Sequence, residues 1–204
     1  MRLHLAGFKR KSMNQNQLYP IFLKASQLNI LIVGGGKVAC EKLSFLLKSS
    51  PNANVLVLSI DFDKSILELA KTHTVSLVKA QYSKSALKNK QIVIAATNNR
   101  EINKQIYTDA KAENILINVA DTPELCDFYL GGIVTKGHVK IAISTNGKSP
   151  TLAKRLRQFF EEVIPDDVNE LAENLNAFRQ SVKGNFEEKV TTLNNLTKNL
   201  LNNK

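Results

Sequence analysis

An apolar run that breaks on three glycines and resumes with helical spacing limits what this chain can fold into more than any other feature. Asn29-Ile30-Leu31-Ile32-Val33 is followed by Gly34-Gly35-Gly36-Lys37-Val38-Ala39 and then by Cys40-Glu41-Lys42-Leu43-Ser44-Phe45-Leu46-Leu47. A short β-branched run bounded by glycine predicts a buried strand, and the stretch after the turn predicts a helix. In this G-x-G-x-x-A pattern Gly34 permits the tight turn and Gly36 lets a pyrophosphate approach the backbone. Ala39 is the third small position, where the helix packs on the strand. The free N–H groups and positive dipole end of the helix favour an anion there. A purely structural turn fits the same letters; the strand before and the helix after favour the dinucleotide reading.

The rhythm continues downstream. Asn54 to Ser59 reads as a strand, Ser65 to Lys71 as a helix, Val75 to Lys79 as a strand and Ile92 to Ala96 as a buried strand. Glu101 to Lys111 then reads as a helix and Ile115 to Val119 as a strand. Such alternation predicts a parallel sheet with helices on both faces, and ligands bind at the carboxyl ends of its strands. Three of those ends carry polar groups: Ser59-Ile60-Asp61, Thr97-Asn98-Asn99 and Asp121. Asp61 comes 25 residues after Gly36, near where an acid hydrogen-bonds the adenine ribose of NAD. Ser59 competes for that position, and a solvated loop acid is the plain alternative.

Past Asp121 the sheet rhythm stops. Gly132-Ile133-Val134-Thr135, a turn at Lys136-Gly137 and the run His138 to Ile143 predict a β-hairpin. After the polar loop Ser144-Thr145-Asn146-Gly147-Lys148, Ser149 and Pro150 supply an N-cap and a first-turn proline for a helix running to Val163. Its exposed face carries Lys154, Arg155 and Arg157. Beyond Pro165, Val168, Leu171, Leu175, Phe178 and Val182 form one apolar stripe, and Phe186, Val190, Leu193, Leu196 and Leu200 form a second. These predict amphipathic helices, and stripes this short suit internal packing and dimerisation equally.

Composition narrows the class. With 204 residues, 43% of them hydrophobic, the chain can bury a sizeable core. No apolar run approaches the ~20 residues of a membrane span, and the N-terminus lacks a secretory core, so the expected setting is the cytoplasm with no membrane partner. Cys40 and Cys126 are the only cysteines, without a CxxC pair, and read as reduced thiols. His4, His73 and His138 are far apart, so no metal site is expected. The net charge is +10, and residues 1–12 contribute Arg2, Lys9, Arg10 and Lys11 to it without an acid. Met13 opens what reads as the natural entry to the fold. A basic balance suits nucleic acid or an acidic small molecule, but 6% aromatic residues and the lack of a binding module argue against nucleic acid.

Several of these runs, in this order, resemble one family. Tyr19-Pro20-Ile21-Phe22-Leu23, the Gly34 to Ala39 turn with Lys42 after it, Ala95-Ala96-Thr97-Asn98-Asn99, Asn118-Val119-Ala120-Asp121, Cys126-Asp127-Phe128 and Ser144-Thr145-Asn146-Gly147-Lys148-Ser149-Pro150 are similar to precorrin-2 dehydrogenases. The same module forms the N-terminal part of siroheme synthases. The resemblance runs from Leu18 to Pro165. It implies an α/β fold: a Rossmann-type NAD-binding domain, a small β-hairpin dimerisation region and a C-terminal helical region. The expected division is an unstructured extension over 1–17, the NAD domain over 18–121, the hairpin region over 122–148 and the helices over 149–204. The methyltransferase domain of fused siroheme synthases is not expected within these residues.

By the same resemblance, the activity is oxidation of precorrin-2 to sirohydrochlorin, a hydride passing to NAD and a proton to a base, in a homodimer. Ferrous iron insertion is left open, with iron as a transient substrate. Asp121 matches the family's catalytic aspartate, and partial desolvation at the strand end would suit it to acid–base work; a strand-end turn aspartate is the alternative. Motif position places Gly34, Gly35, Gly36, Lys37 and Val38 at the pyrophosphate, Ile60 and Asp61 near the adenosine, and Thr97 near the ribose or nicotinamide. Lys37 fits a solvated turn equally well. Asn146, Lys148, Ser149, Lys154 and Arg155, with Arg157, are candidates for the many carboxylates of precorrin-2, although helix-face charges are usually solvated. Gly131 stands where many relatives have proline, which would loosen the entry to the hairpin. The rival from another class is a non-catalytic NAD(H)-binding regulatory domain. A dehydrogenase for a small alcohol fits less well, because no His, Lys or Tyr constellation accompanies the cofactor half.

Overall fold

The protein is described here by a computed structural model covering residues 16–198. Leu200, and all of the expected N-terminal extension except residues 16 and 17, lie outside the described residues.

The β-branched runs become the strands of one parallel sheet: β1 (Asn29–Val33), β2 (Asn54–Ser59), β3 (Val75–Lys79), β4 (Ile92–Ala95) and β5 (Leu116–Val119). Between them lie α1 (Lys37–Ser49), α2 (Lys64–Thr72) and α3 (Arg100–Ala112). The strand order is β3-β2-β1-β4-β5. The chain moves outward from β1 to β3 and then recrosses, through a short 3-10 turn at Lys84–Leu87, to lay β4 on the other side of β1. The loops leaving β1 and β4 therefore depart in opposite directions, which opens a crevice at the carboxyl ends of these two strands.

The strand period of two divides the core. Ile30, Ile32, Val55, Val57, Ile92 and Ile94 pack with Ala39, Leu43 and Leu47 of α1 and Ile66 of α2. Leu31, Val33, Leu58, Val93, Ala95, Ile117 and Val119 pack with Ile106 and Ala110 of α3 and with Leu87. Burial on both faces is why these strands are continuously apolar rather than alternating, and each fully buried aliphatic side chain contributes about 1.5–3 kcal/mol. Asp63 caps α2 by accepting from the Ser65 N–H at 2.9 Å, and Asn99 caps α3 by accepting from those of Glu101 and Ile102.

The chain forms two compact units. The first takes the chain to Leu130 together with Ser144–Pro150; the second takes Gly131–Ile143 together with the chain from Thr151. In the second, β6 (Gly132–Lys136) and β7 (Val139–Ile143) are antiparallel, followed by α4 (Pro150–Val163), α5 (Val168–Ser181) and α6 (Phe186–Thr197). The hairpin turn is Gly137-His138 rather than Lys136-Gly137, because Lys136 pairs opposite Val139. Gly137, at φ +54°, takes the first turn position, and the His138 N–H donates to Asn169 Oδ1 at 2.9 Å. An Asn185–Glu188 capping box starts α6. No residue of α4, α5 or α6 is buried.

Candidate functional site

The glycine turn is wedged between two strand ends, and each glycine answers a different constraint. Gly34 has φ +127°, and a Cβ on it would lie 2.2 Å from the Ala96 carbonyl oxygen, at the end of β4. A Cβ on Gly35 would lie 1.9 Å from the Asp61 carbonyl oxygen and 2.7 Å from Ser59 Oγ, just past β2. The Gly35 carbonyl also accepts from the Asp63 N–H at 2.7 Å. Gly36 is exposed, with open space where its side chain would stand, and as N-cap of α1 it offers no side-chain acceptor to the first turn. The leading N–H groups of α1, at Lys37 and Val38, thus face an open cradle suited to a phosphate. Ala39 is fully buried, as the third small position requires.

This packing brings Gly34, Gly35, Gly36, Lys37, Val38, Ile60, Asp61 and Thr97 to one rim of the sheet. Lys37 and Ile60 are exposed. The Asp63 carboxyl is held below the usual carboxylate range by the Ser65 N–H and hydroxyl, with a smaller contribution from the Lys37 charge. Asp61 is largely exposed and pairs with Lys79 at 3.6 Å.

Thr97 is fixed by a residue that sequence reading missed. Asn103, 7% exposed on the inner side of α3, accepts from Thr97 Oγ at 2.7 Å and from its N–H at 3.2 Å, and donates to its carbonyl at 3.1 Å. The Asn99 N–H donates to the same hydroxyl at 3.2 Å. A polar residue one turn after the Asn99 cap, on the face that buries Ile106 and Ala110, is the signal that could have revealed it.

Asp121 stands two residues past β5, at φ +57°, a left-handed conformation that Asp tolerates better than most side chains. The Ala120 N–H donates to the Ala95 carbonyl at 2.9 Å, so Asp121 leaves the sheet beside the β4 end that carries Thr97. Its side chain is exposed, where the sequence led us to expect partial desolvation: β5 ends at Val119, as the sequence predicts, but the left-handed turn that follows directs Asp121 outward. Cys126 ties this turn down. Its sulfur accepts from the Val119 N–H at 3.3 Å and lies 3.3 and 3.4 Å from the Val119 and Thr122 carbonyls. Burial is the main cause that pushes the Cys126 thiol pKa up.

The loop residues Asn146, Lys148 and Ser149 belong to the first unit, where Ser149 N–H donates to Thr145 Oγ at 3.1 Å. Lys154 and Arg155 belong to α4 of the second. Arg155 donates to Gln158 at 3.1 Å, and Arg157 is paired with Glu161 one turn on.

The family model described as "Putative NAD(P)-binding" matches residues 21–132, more than half of the chain. The chain belongs to this NAD(P)-binding family. A second family model, "Sirohaem biosynthesis protein central", matches residues 136–162. The chain is 39% identical over 171 residues to a siroheme synthase of Pseudoalteromonas translucida, covering 84% of this chain and 36% of that protein. It is 40% identical over 165 residues to one of Psychrobacter arcticus, covering 81% of this chain and 30% of that protein. It thus spans about a third of the length of these curated relatives. Among solved structures, SirC, a precorrin-2 dehydrogenase, has a TM-score of 0.70 at 21% identity, over 88% of this chain and 89% of that one. That likeness bears out the expected Rossmann-type α/β fold with a hairpin and C-terminal helices. No helix among the described residues is long and apolar enough to cross a membrane.

Proposed function

We propose that this chain oxidises precorrin-2 to sirohydrochlorin at the carboxyl edge of the sheet, in the cytoplasm where NAD and tetrapyrrole intermediates are both in solution. The observation that carries the reading is the wedged glycine turn with an uncapped helix start and open space at Gly36, one strand away from Thr97 and two from Asp121. The siroheme synthase relatives supply the substrate class. When bound, NAD supplies the acceptor for the hydride that leaves the macrocycle.

In this reading the N–H groups at the start of α1 hold the pyrophosphate, with Gly34 and Gly35 giving the turn its close packing and Lys37 and Val38 flanking it. Ile60 and Asp61 meet the adenosine. Thr97, held by Asn103, meets the ribose or nicotinamide. Its hydroxyl donates to Asn103 Oδ1 at 2.7 Å or to the Asn99 carbonyl at 3.0 Å and accepts from the Asn99 N–H, so one lone pair is left to accept from a ligand hydroxyl or amide. Asp121 takes the proton that leaves precorrin-2 as the hydride departs, and its lack of a protein partner among the described residues leaves the carboxylate available. Asn146, Lys148, Ser149, Lys154 and Arg155 receive the substrate's carboxylates. We place the NAD domain at 18–121, the hairpin region at 122–148 and the helical region at 149–204, and infer that the second region pairs two copies. The exposed Leu152, Phe159, Val163 and Phe186 support that pairing.

The test is anaerobic incubation of enzymatically made precorrin-2 with the purified protein and NAD, followed by absorbance. Sirohydrochlorin that forms only with both protein and NAD is the expected result; an unchanged spectrum with folded protein would sink the reading and favour a regulatory NAD(H)-binding domain. Adding ferrous iron to a parallel sample tests whether the metal is a second substrate, read as siroheme forming faster than without protein.

A further inference from the structure

The carboxyl ends of β2 and β3 carry an ion pair that bears on which dinucleotide the site accepts. In the β2–β3 register Ser59 pairs with Lys79, and the Ala80 N–H donates to the Ser59 carbonyl at 3.0 Å, so Lys79 is held beside the last residue of β2. Two residues after Ser59, Asp61 turns its carboxylate to Lys79 at 3.6 Å. The backbone of the same segment touches the phosphate turn, since a Cβ on Gly35 would strike the Asp61 carbonyl and Ser59 Oγ. The pair therefore stands on the wall of the cradle where the adenine ribose lies when a pyrophosphate occupies the glycine turn. Both side chains are largely exposed, 88% for Asp61 and 70% for Lys79, so a ligand can reach either.

An acid alone at this place hydrogen-bonds a free ribose 2′-hydroxyl and repels a 2′-phosphate; a cation there does the reverse. Here one of each is present within ion-pair distance, and their charges cancel. We propose that Lys79 is a specificity-determining residue that admits NADP alongside NAD: Asp61 accepts from the 2′-hydroxyl of NAD, and Lys79 donates to the 2′-phosphate of NADP. The inference rests on the dinucleotide reading of the glycine turn. It goes beyond that reading by assigning a role to β3, which contributes no residue to the hydride or proton steps.

The test is the dissociation constant of NAD and of NADP, measured by calorimetry with the full chain, for the wild type, Lys79→Ala and Asp61→Asn. Both substitutions are on exposed side chains and leave the core intact. The expected wild-type constants lie within about tenfold of each other. A charge-assisted contact is worth about tenfold or more in affinity, so Lys79→Ala shifts the ratio by that much against NADP and Asp61→Asn shifts it toward NADP. A wild type that binds NAD but holds NADP more than a hundredfold more weakly overturns the inference and leaves the cofactor reading standing. So does a Lys79→Ala ratio equal to that of the wild type. Binding of neither dinucleotide overturns both.

Discussion

The two units satisfy their apolar residues in different ways. In the first, strands β1 and β4 are buried almost end to end, and three helices and a 3-10 turn close both faces of the sheet. In the second, Val134 and Ile143 are the buried hydrophobic residues among those described, while Leu152, Phe159, Val163, Phe178, Phe186 and Leu196 stay exposed. The difference separates two ways of using an apolar pattern. The sheet completes its core within one chain and can hold a site rigidly; the hairpin and helices present apolar surface that a second copy, in the proposed dimer, would cover.

That contrast breaks most severely at the glycine turn. Gly35→Val drives a side chain into the Asp61 backbone, and relief requires moving the β2 end itself, so it should cost about 4 kcal/mol or more in urea unfolding and abolish NAD binding. The core comes next: Ile94→Ala should lower stability by about 2–5 kcal/mol. Phe159→Ser, on exposed α4, should change the unfolding free energy of the separated chain by about 1 kcal/mol or less while shifting sedimentation from dimer to monomer. If Phe159→Ser unfolds the protein as Ile94→Ala does, the second unit has a core of its own and the contrast fails. Asn103→Leu leaves the Thr97 loop without its anchor and should cost about 1–3 kcal/mol. It should also raise KM for NAD more than it lowers kcat.

The smallest effect concerns Cys126. Its folded thiol pKa is raised, so the stability linked to its protonation is complete below the unfolded thiol value and is lost as pH rises through the folded one. Iodoacetamide should therefore label it slowly in the native protein at pH 8 and quickly once urea unfolds the chain; equal rates would show that the turn carrying Asp121 is open.

The sheet was legible because parallel strands buried on both faces leave continuous β-branched runs, and because Gly34 and Ala39 each answer one steric demand at a fixed spacing. The hairpin was legible to within one residue, the error lying in which residue shares the turn with Gly137. Gly35 was not legible as a packing glycine: the atom it must avoid is the Asp61 carbonyl, brought to it only by the fold. Asn103 was hidden for a related reason, since its partner lies across a loop and helical periodicity marks a polar residue as solvated by default. The exposure of Asp121 was missed because the left-handed turn after β5 is a backbone conformation that apolar runs do not encode, even though they locate the end of the strand at Val119 correctly.

The central claim is that the sheet unit binds NAD while Asp121 moves a proton, and Asp121→Asn separates the two most directly. Asn tolerates the same left-handed backbone, so the turn should persist. Precorrin-2 turnover and NAD affinity measured side by side with the wild type should show turnover falling about a hundredfold or more and the NAD constant unchanged within about twofold. Turnover equal to that of the wild type, or a loss matched by lost NAD affinity, would contradict the account.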